Sequence, residues 1–505
     1  AGESWQASWV RDNTGLEVQR TFSGGVTVRT ERDCFGREVH KSVRSGGIEQ
    51  GAYRYQWGIA NRLLSKENDL TGTVTRYDYD RFDFLIRQET MQGSETDVIY
   101  RVPDFVGNLF ETPDKKDRKY GAGGKLLEDQ DCFYHYDDEG NLIFREFKQL
   151  QETGVRFDRK RMEKERGIHF LATGTGWLYE WSSNGMLKKV IRPDGRPVEF
   201  RYDALGRRTA KQYFGKVTRW VWDGNVPIHE WGYKVTDMQP DEEENTSSKE
   251  PTENITTWVF EAGTFIPTAK IQDGKQYSIV SDYLGTPIQM YDEKENKTWD
   301  CTLDIYGKVA TFEGRSLNDC PFRFQGQYED EETGLYYNRF RYYISEIGGY
   351  LNQDLIGLTG NNLIFYNYVK NPNTWIDIFG LFSDLKPTGD GHHLFPRAIG
   401  DKLGIRDIIE KVSWYPNVSK NTASLHQELH AKLRESGIPI HGSQYQGTIE
   451  QALDAMDNAY KSFDTKGYLM IDGKRYDNLT PSEAMVKVRQ HVENKIKVKN
   501  KLTHH

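Results

Sequence analysis

The stretch Val198-Glu199-Phe200-Arg201-Tyr202-Asp203-Ala204-Leu205-Gly206-Arg207-Arg208 decides the fold. Apolar and polar residues alternate from Val198 to Tyr202, the period of a strand with one buried face. Gly206 stands four residues after Tyr202, and glycine takes up positive φ without steric cost, as a tight hairpin turn demands. The same spacing returns as Trp57…Asn61-Arg62-Leu63, Tyr79…Asp83-Phe84-Leu85, Tyr120…Gly124-Lys125-Leu126, Tyr136…Gly140-Asn141-Leu142 and Trp181…Gly185-Met186-Leu187. The fourth position after the aromatic is always Gly, Asn or Asp, the residues that best tolerate positive φ. Several starts lie 16 to 22 residues apart, the length of two strands and two turns. A fixed period of this kind implies stacked units that bury their apolar faces only against their neighbours.

Composition agrees with an all-β body. Aromatic residues make up 13% of the chain, and 47 glycines stand against 16 prolines, a balance that favours strands and turns. At 505 residues, two or three domains are expected. No apolar run approaches the roughly 20 residues of a membrane span, and no signal peptide is visible at the N-terminus. A chain starting at Ala1 is expected to be part of a longer one. Cys34, Cys132, Cys301 and Cys320 have no metal-ligand spacing and read as reduced thiols of a protein folded in a cytosol. Residues 234–256, acidic and poor in aromatics, interrupt the repeat and read as a disordered surface loop.

Charge divides the chain. Residues 1–381 carry 49 basic and 60 acidic side chains, whereas residues 382–505 carry 18 and 15 together with eight of the twelve histidines. A basic, histidine-rich end on an acidic body points to separate chemistry there and to a polyanionic substrate.

Tyr202-Asp203-Ala-Leu-Gly206-Arg207 and Tyr136-Asp137-Asp-Glu-Gly140-Asn141-Leu142 resemble the YD repeats of Rhs proteins and teneurins. That resemblance implies a mostly β fold, a YD-repeat cocoon over residues 1–320. Residues 321–381 hold Thr333-Gly-Leu-Tyr-Tyr-Asn-Arg-Phe-Arg341-Tyr-Tyr343, Gln353-Asp354-Leu-Ile-Gly357-Leu358 and Trp375-Ile-Asp377-Ile-Phe-Gly380-Leu381. They resemble the Rhs-associated core domain, which closes the cocoon. In that family two Asp-Pro-x-Gly-Leu motifs lie 18 residues apart, and the chain cleaves itself after the second Leu. Here the matching segments are 354–358 and 377–381, at the same separation. The resemblance implies that Asp354 and Asp377 are the aspartate pair and that Arg341 is the arginine needed for cleavage. Two carboxylates forced together cannot both ionise, so one can activate a water while the other protonates the leaving group. Both motif prolines are replaced, by Leu355 and Ile378, which removes a fixed φ at each place.

Residues 382–505 form the third expected domain. His426 and His430 are four apart in an apolar-periodic stretch, so they share one helix face and can offer two imidazoles to one metal. Upstream stands Gly391-His392-His393-Leu-Phe-Pro396. This set resembles the HNH, or ββα-metal, nucleases of the GHH and colicin DNase type, so an α-rich ββα-metal fold is expected. The resemblance implies His392, His426 and His430 as ligands of one divalent ion (Zn, Mg, Mn or Ni) and His393 as general base. An asparagine nine residues before the first helical ligand orients the base in colicin-like members; Asn417 stands there, and Asn421 competes with it. Arg397 is placed to hold a phosphodiester backbone. Further along, residues 449–463 and a helix opened by Thr480-Pro481-Ser-Glu483 read as helical. His441 and His491 lack partners at metal spacing and read as surface residues.

The reading that follows is an Rhs polymorphic toxin whose shell encloses and releases a metal-dependent endonuclease acting on nucleic acid, duplex DNA ahead of RNA. It implies a cognate immunity protein and a secretion-machine spike or adaptor, as in type VI secretion. It also implies synthesis in a bacterial cytoplasm, secretion, and action in the cytoplasm of a target cell. Two other readings stay open at this stage: a non-enzymatic, teneurin-like cell-surface binding protein, and a purely structural zinc site.

Overall fold

The computed structural model describes residues 5–13, 15–240, 248–354 and 365–381, and most of 402–502 apart from short stretches that include 417–428 and 439–444. The chain divides into two compact units, Ala1–Asp384 and Leu385–His505.

The first unit is built from antiparallel meanders. One sheet has nine strands and another sixteen, and in both the spatial order follows the sequence. The sequence repeat explains this regularity. All six +4 positions lie at positive φ: Asn61 (58°), Asp83 (71°), Gly124 (81°), Gly140 (84°), Gly185 (76°) and Gly206 (73°). The register shifts by one residue immediately before each of the six aromatics, as between Asp78 and Tyr79 or Arg201 and Tyr202. The bulge turns the ring inward, and its polar atom bonds back to the preceding unit. Tyr79 Oη donates to the Leu63 carbonyl (2.8 Å), Trp181 Nε1 to Leu142 (2.9 Å), Tyr202 Oη to Leu187 (2.7 Å) and Trp222 Nε1 to Arg208 (2.7 Å). Each acceptor stands six residues after the aromatic of the unit before. The aspartate after the tyrosine closes the turn: Asp203 Oδ1 accepts from the N–H groups of Leu205 (2.9 Å) and Arg207 (2.8 Å), an Asx-type turn.

The sixteen-stranded sheet packs against a four-stranded sheet made by Tyr328–Asp330, Leu335–Asn338, Arg341–Ile344 and Gly349–Tyr350. Trp220, Trp258 and Trp299 of the large sheet share one buried cluster with Phe322, Tyr328, Tyr337 and Tyr342. A charged clamp crosses the same interface. Asp330 is fully buried and accepts from Arg208 Nη1 (2.5 Å) and Lys211 Nζ (3.0 Å). Burial alone would raise the Asp330 carboxyl, but the two cations outweigh it and hold it below its usual range. Its stabilising contribution is therefore present above the ordinary carboxylate range and lost as pH falls through the depressed value. Asp330→Ala leaves the buried Arg208 without its carboxylate, while Lys211 keeps Glu332, so a loss of about 3–5 kcal/mol is expected, read as a lower urea midpoint for the first unit.

Residues 234–256 are not an irregular loop throughout. A short turn, Val235–Asp237, leads to Gln239–Pro240, which pairs with Ser248–Lys249. Glu250 then accepts from Arg219 Nε (2.7 Å), and Thr256 starts the next strand of the large sheet. The acidic composition concealed a hairpin extension whose ladder needs no apolar face. Residues 241–247 lie outside the described residues.

In the second unit, Val412–Pro416, Gly467–Ile471 and Lys474–Leu479 form a three-stranded antiparallel sheet. The helices Ile449–Tyr460 and Pro481–Leu502 belong to the same core, with Trp414, Met456, Tyr460, Met485 and Val488 buried. Both helices open with reciprocal capping boxes, Thr448 with Gln451 and Thr480 with Glu483. His491 is not a surface residue. It is half-buried, and its Nε2 lies 3.1 Å from the Ile408 carbonyl, because the long helix turns that face toward residues 405–409. The expected ββα-metal finger, bounded by His392 and His430, falls largely outside the described residues.

Candidate active site

Residues 338–341 make a two-residue hairpin turn between the strands Leu335–Asn338 and Arg341–Ile344. The segment 377–381 lies along this turn. Asn338 Nδ2 donates to the Asp377 carbonyl (2.7 Å), Phe340 N to the Phe379 carbonyl (3.2 Å) and Arg341 Nε to the Gly380 carbonyl. Gly380 sits at φ 64°, and a Cβ there would lie 2.5 Å from the Asn338 carbonyl oxygen. Glycine is therefore required both for its backbone angle and for the close approach.

This arrangement brings Arg341, Asp354 and Asp377 together. Arg341 is 1% exposed and lies across the face of Tyr350, 3.7 Å from the ring centre. Its Nη2 reaches Asp354 Oδ2 at 3.1 Å and Asp377 Oδ2 at 3.4 Å. Its Nη1 donates to the Phe365 carbonyl (2.9 Å), the same carbonyl that accepts from Asp354 N (2.9 Å). One guanidinium thus ties both carboxylates to the backbone. Asp377 also accepts from Tyr350 Oη at Oδ2 (2.8 Å) and from Leu381 N at Oδ1 (2.9 Å). Burial pushes the Asp377 carboxyl above its usual value; Arg341, Tyr350 and the Leu381 amide oppose this without reversing it, and Asp354 adds to it. A buried acid held above its usual range thus stands beside a second carboxyl group and accepts the backbone N–H of Leu381.

Tyr350, Asn338 and Tyr368 complete the site and were not singled out in the sequence. Asn338 Nδ2 also bonds Tyr350 Oη (2.8 Å), and Tyr368 Oη accepts from Asp377 N (3.1 Å). For Asn338 the unusual run Leu335-Tyr-Tyr-Asn-Arg-Phe-Arg-Tyr-Tyr343 was the available signal, since so many polar-tipped rings in one buried hairpin need partners; Tyr350 and Tyr368 lie beyond it. Ile378, in a motif-proline position, is 7% exposed. A Cβ at Gly326 would overlap its backbone, so Gly326 is what admits the segment there. Leu355 lies outside the described residues.

His392, His393, Asn417, His426 and His430 all lie outside the described residues. Among the described residues no group of three or more His, Cys, Asp or Glu side chains is placed to hold a metal ion, and no helix is long and apolar enough to cross a membrane.

Comparison with known proteins gives the architecture a family. Residues 108–374 match the Teneurin YD-shell family model. The chain is 31% identical over 408 residues to Double-stranded DNA deaminase toxin A of Burkholderia cenocepacia, covering 75% of this chain and 26% of that protein. It is 26% identical over 422 residues to Probable deoxyribonuclease RhsA of Dickeya dadantii, covering 78% and 27%. It is also 26% identical over 445 residues to Toxin protein Tse5 of Pseudomonas aeruginosa, covering 77% and 33%. The chain thus spans about a quarter to a third of the length of these relatives. With its meandering sheets, its aromatic-to-carbonyl ladder and this family match, the chain belongs to the teneurin YD-shell family.

Proposed function

We propose that the chain is part of an Rhs polymorphic toxin that cuts itself between Leu381 and Phe382. The observation that carries this reading is the buried Arg341–Asp354–Asp377 cluster, with Leu381 N–H on Asp377. In the cleavage, Asp354 takes a proton from a water, and the water oxygen adds to the Leu381 carbonyl carbon. Asp377 gives its proton to the Phe382 nitrogen and the C–N bond breaks, leaving a carboxylic acid at Leu381 and an amine at Phe382; the acid returns a proton to Asp377 and Asp354 passes its own to the amine, which leaves a carboxylate at Leu381. Arg341 neutralises the pair as charge moves between them.

The released residues 382–505 act as an HNH-type endonuclease, with DNA as the substrate. His392, His426 and His430 hold one divalent ion (Zn, Mg, Mn or Ni), His393 is the general base, and Asn417 orients it. The ion supplies charge neutralisation at the phosphodiester and at the departing oxygen. His393 removes the proton from the attacking water, a task suited to an imidazole near neutral pH. Support comes from the histidine set, and from relatives whose names record action on DNA. A cognate immunity protein, a secretion-machine spike or adaptor, secretion from the producing bacterium and action in a target cytoplasm belong to the same proposal. Relatives named as toxins and deoxyribonucleases support this reading ahead of the teneurin-like binding alternative.

The test is a pH series on freshly unfolded and refolded chain, with fragments followed by electrophoresis. Because Asp377 is held above the usual carboxylate value, it keeps its proton to higher pH and loses it as pH rises through that raised value. Cleavage is expected to slow as pH rises across that range. A rate that increases with pH throughout would contradict Asp377 as the acid.

A further inference from the structure

Arg339 stands two residues from Arg341 on the same turn, yet the cleavage chemistry does not use it. It is 6% exposed, and among the described residues it forms no ion pair with a carboxylate. Its Nη2 donates to the Leu205 carbonyl (2.9 Å) and its guanidinium lies over the Phe340 ring (4.5 Å) beside the Tyr337 hydroxyl, while Nε and Nη1 are buried without a well-aligned hydrogen-bond partner. Its backbone sits at φ 57°, as the first position of a two-residue hairpin requires. A buried guanidinium with open donors is an expensive arrangement unless an anion completes it.

Arg339 lines a small cavity of about 30 Å³ together with Gln327, Arg208, Trp220, Phe322 and Ile378. That space suits a carboxylate group or about two waters. No acidic residue lines it. Gln327, 1% exposed, has neither amide atom partnered, and Trp220 Nε1 and Arg208 Nε are also buried without partners. Donors therefore dominate, and aromatic rings form the remaining wall. Ile378 is three residues before Leu381, a span of at most about 10 Å in extended chain.

We propose that this cavity is a carboxylate pocket, with Arg339 as its cation, that takes the new C-terminus of Leu381 once the chain is cut. The inference rests on the self-cleavage reading. Cutting places a third carboxylate beside Asp354 and Asp377, where the Arg341 guanidinium bridges the pair. Repulsion drives the new anion away, Gly380 provides the pivot, and Arg339 with Gln327 receives it. A planar guanidinium pairs with a carboxylate through two parallel hydrogen bonds. Removing the product from the dyad also prevents the Phe382 amine from recombining with it.

The probe is N-acetyl-L-leucine, with N-acetyl-L-leucinamide as its uncharged control, both titrated calorimetrically. On the uncleaved Asp377→Asn chain the acid is expected to bind at least about tenfold more tightly than the amide. Arg339→Gln in that background should erase the difference, whereas Arg339→Lys should retain part of it. On the cleaved wild-type chain the acid should not bind, because Leu381 already fills the pocket. Equal binding of acid and amide, or no binding to the uncleaved chain, would mean that water satisfies these donors and would overturn the proposal. Equal binding of the acid to cleaved and uncleaved chains would overturn Leu381 as the occupant. A wild-type chain that stays whole on a gel sinks the self-cleavage reading instead, and the acid-against-amide comparison on the uncleaved chain still reads the pocket itself.

Discussion

A chain carrying Asp377→Asn is expected to stay at full length, with cleavage slowed by at least about a hundredfold, the lower end of what a positioned acid or base contributes. The substitution is nearly isosteric. Asparagine still accepts from Leu381 N through its carbonyl oxygen, and the surrounding Tyr350, Tyr368 and Asn338 remain in place. What it cannot do is hold and release a proton. Asp354→Asn should have the same effect by removing the base. Timed electrophoresis after refolding measures both variants, and the unchanged near-ultraviolet circular dichroism expected of each separates lost chemistry from lost fold. Cleavage of both variants at the wild-type rate would remove the dyad from the account.

His393→Ala in the released residues 382–505 is expected to lose DNA hydrolysis by on the order of 10²–10⁴ in rate while still binding the divalent ion. A general base acts in the transition state and not in coordination. His426→Ala and His430→Ala should lose metal affinity together with activity, since each removes a ligand. His441→Ala and His491→Ala should do neither; the contact of His491 with the Ile408 carbonyl makes a modest loss of stability its expected effect. Calorimetric metal titration beside digestion of supercoiled DNA distinguishes these outcomes. If His393→Ala loses the metal while His392→Ala keeps it, the two roles are exchanged. If none of the four substitutions changes digestion, the histidines are not a nuclease centre.

The repeat was legible because it is local. An aromatic and a residue tolerant of positive φ four positions later specify a bulge and a turn within one hairpin, and all six such positions have that backbone. The bond from each aromatic to a carbonyl of the unit before was not legible, since it joins residues 14 to 39 apart in sequence. It accounts for the leucine that the motif showed without explaining. The candidate site divides in the same way. Arg341, Asp354 and Asp377 were visible through the resemblance of residues 321–381 to the Rhs-associated core domain. Tyr350 and Asn338 act through a hairpin pairing and a cation–π contact, neither of which leaves a spacing. Composition misled at residues 234–256, where a two-stranded extension is held by backbone pairing and the Arg219–Glu250 ion pair. At Ile378 the chain dispenses with proline's fixed φ; the hydrogen bonds from Asn338, Phe340 and Arg341 to the carbonyls of Asp377, Phe379 and Gly380 position the segment instead.

The central claim is that this shell carries a working aspartate pair that frees its C-terminal unit. Intact-mass spectrometry of the purified wild-type chain, combined with N-terminal sequencing, tests it most directly. The account predicts two polypeptides, one ending at Leu381 and one beginning Phe382-Ser383-Asp384-Leu385. A single species at the full-length mass after refolding at mildly acid pH, or a cut at any other bond, would contradict it.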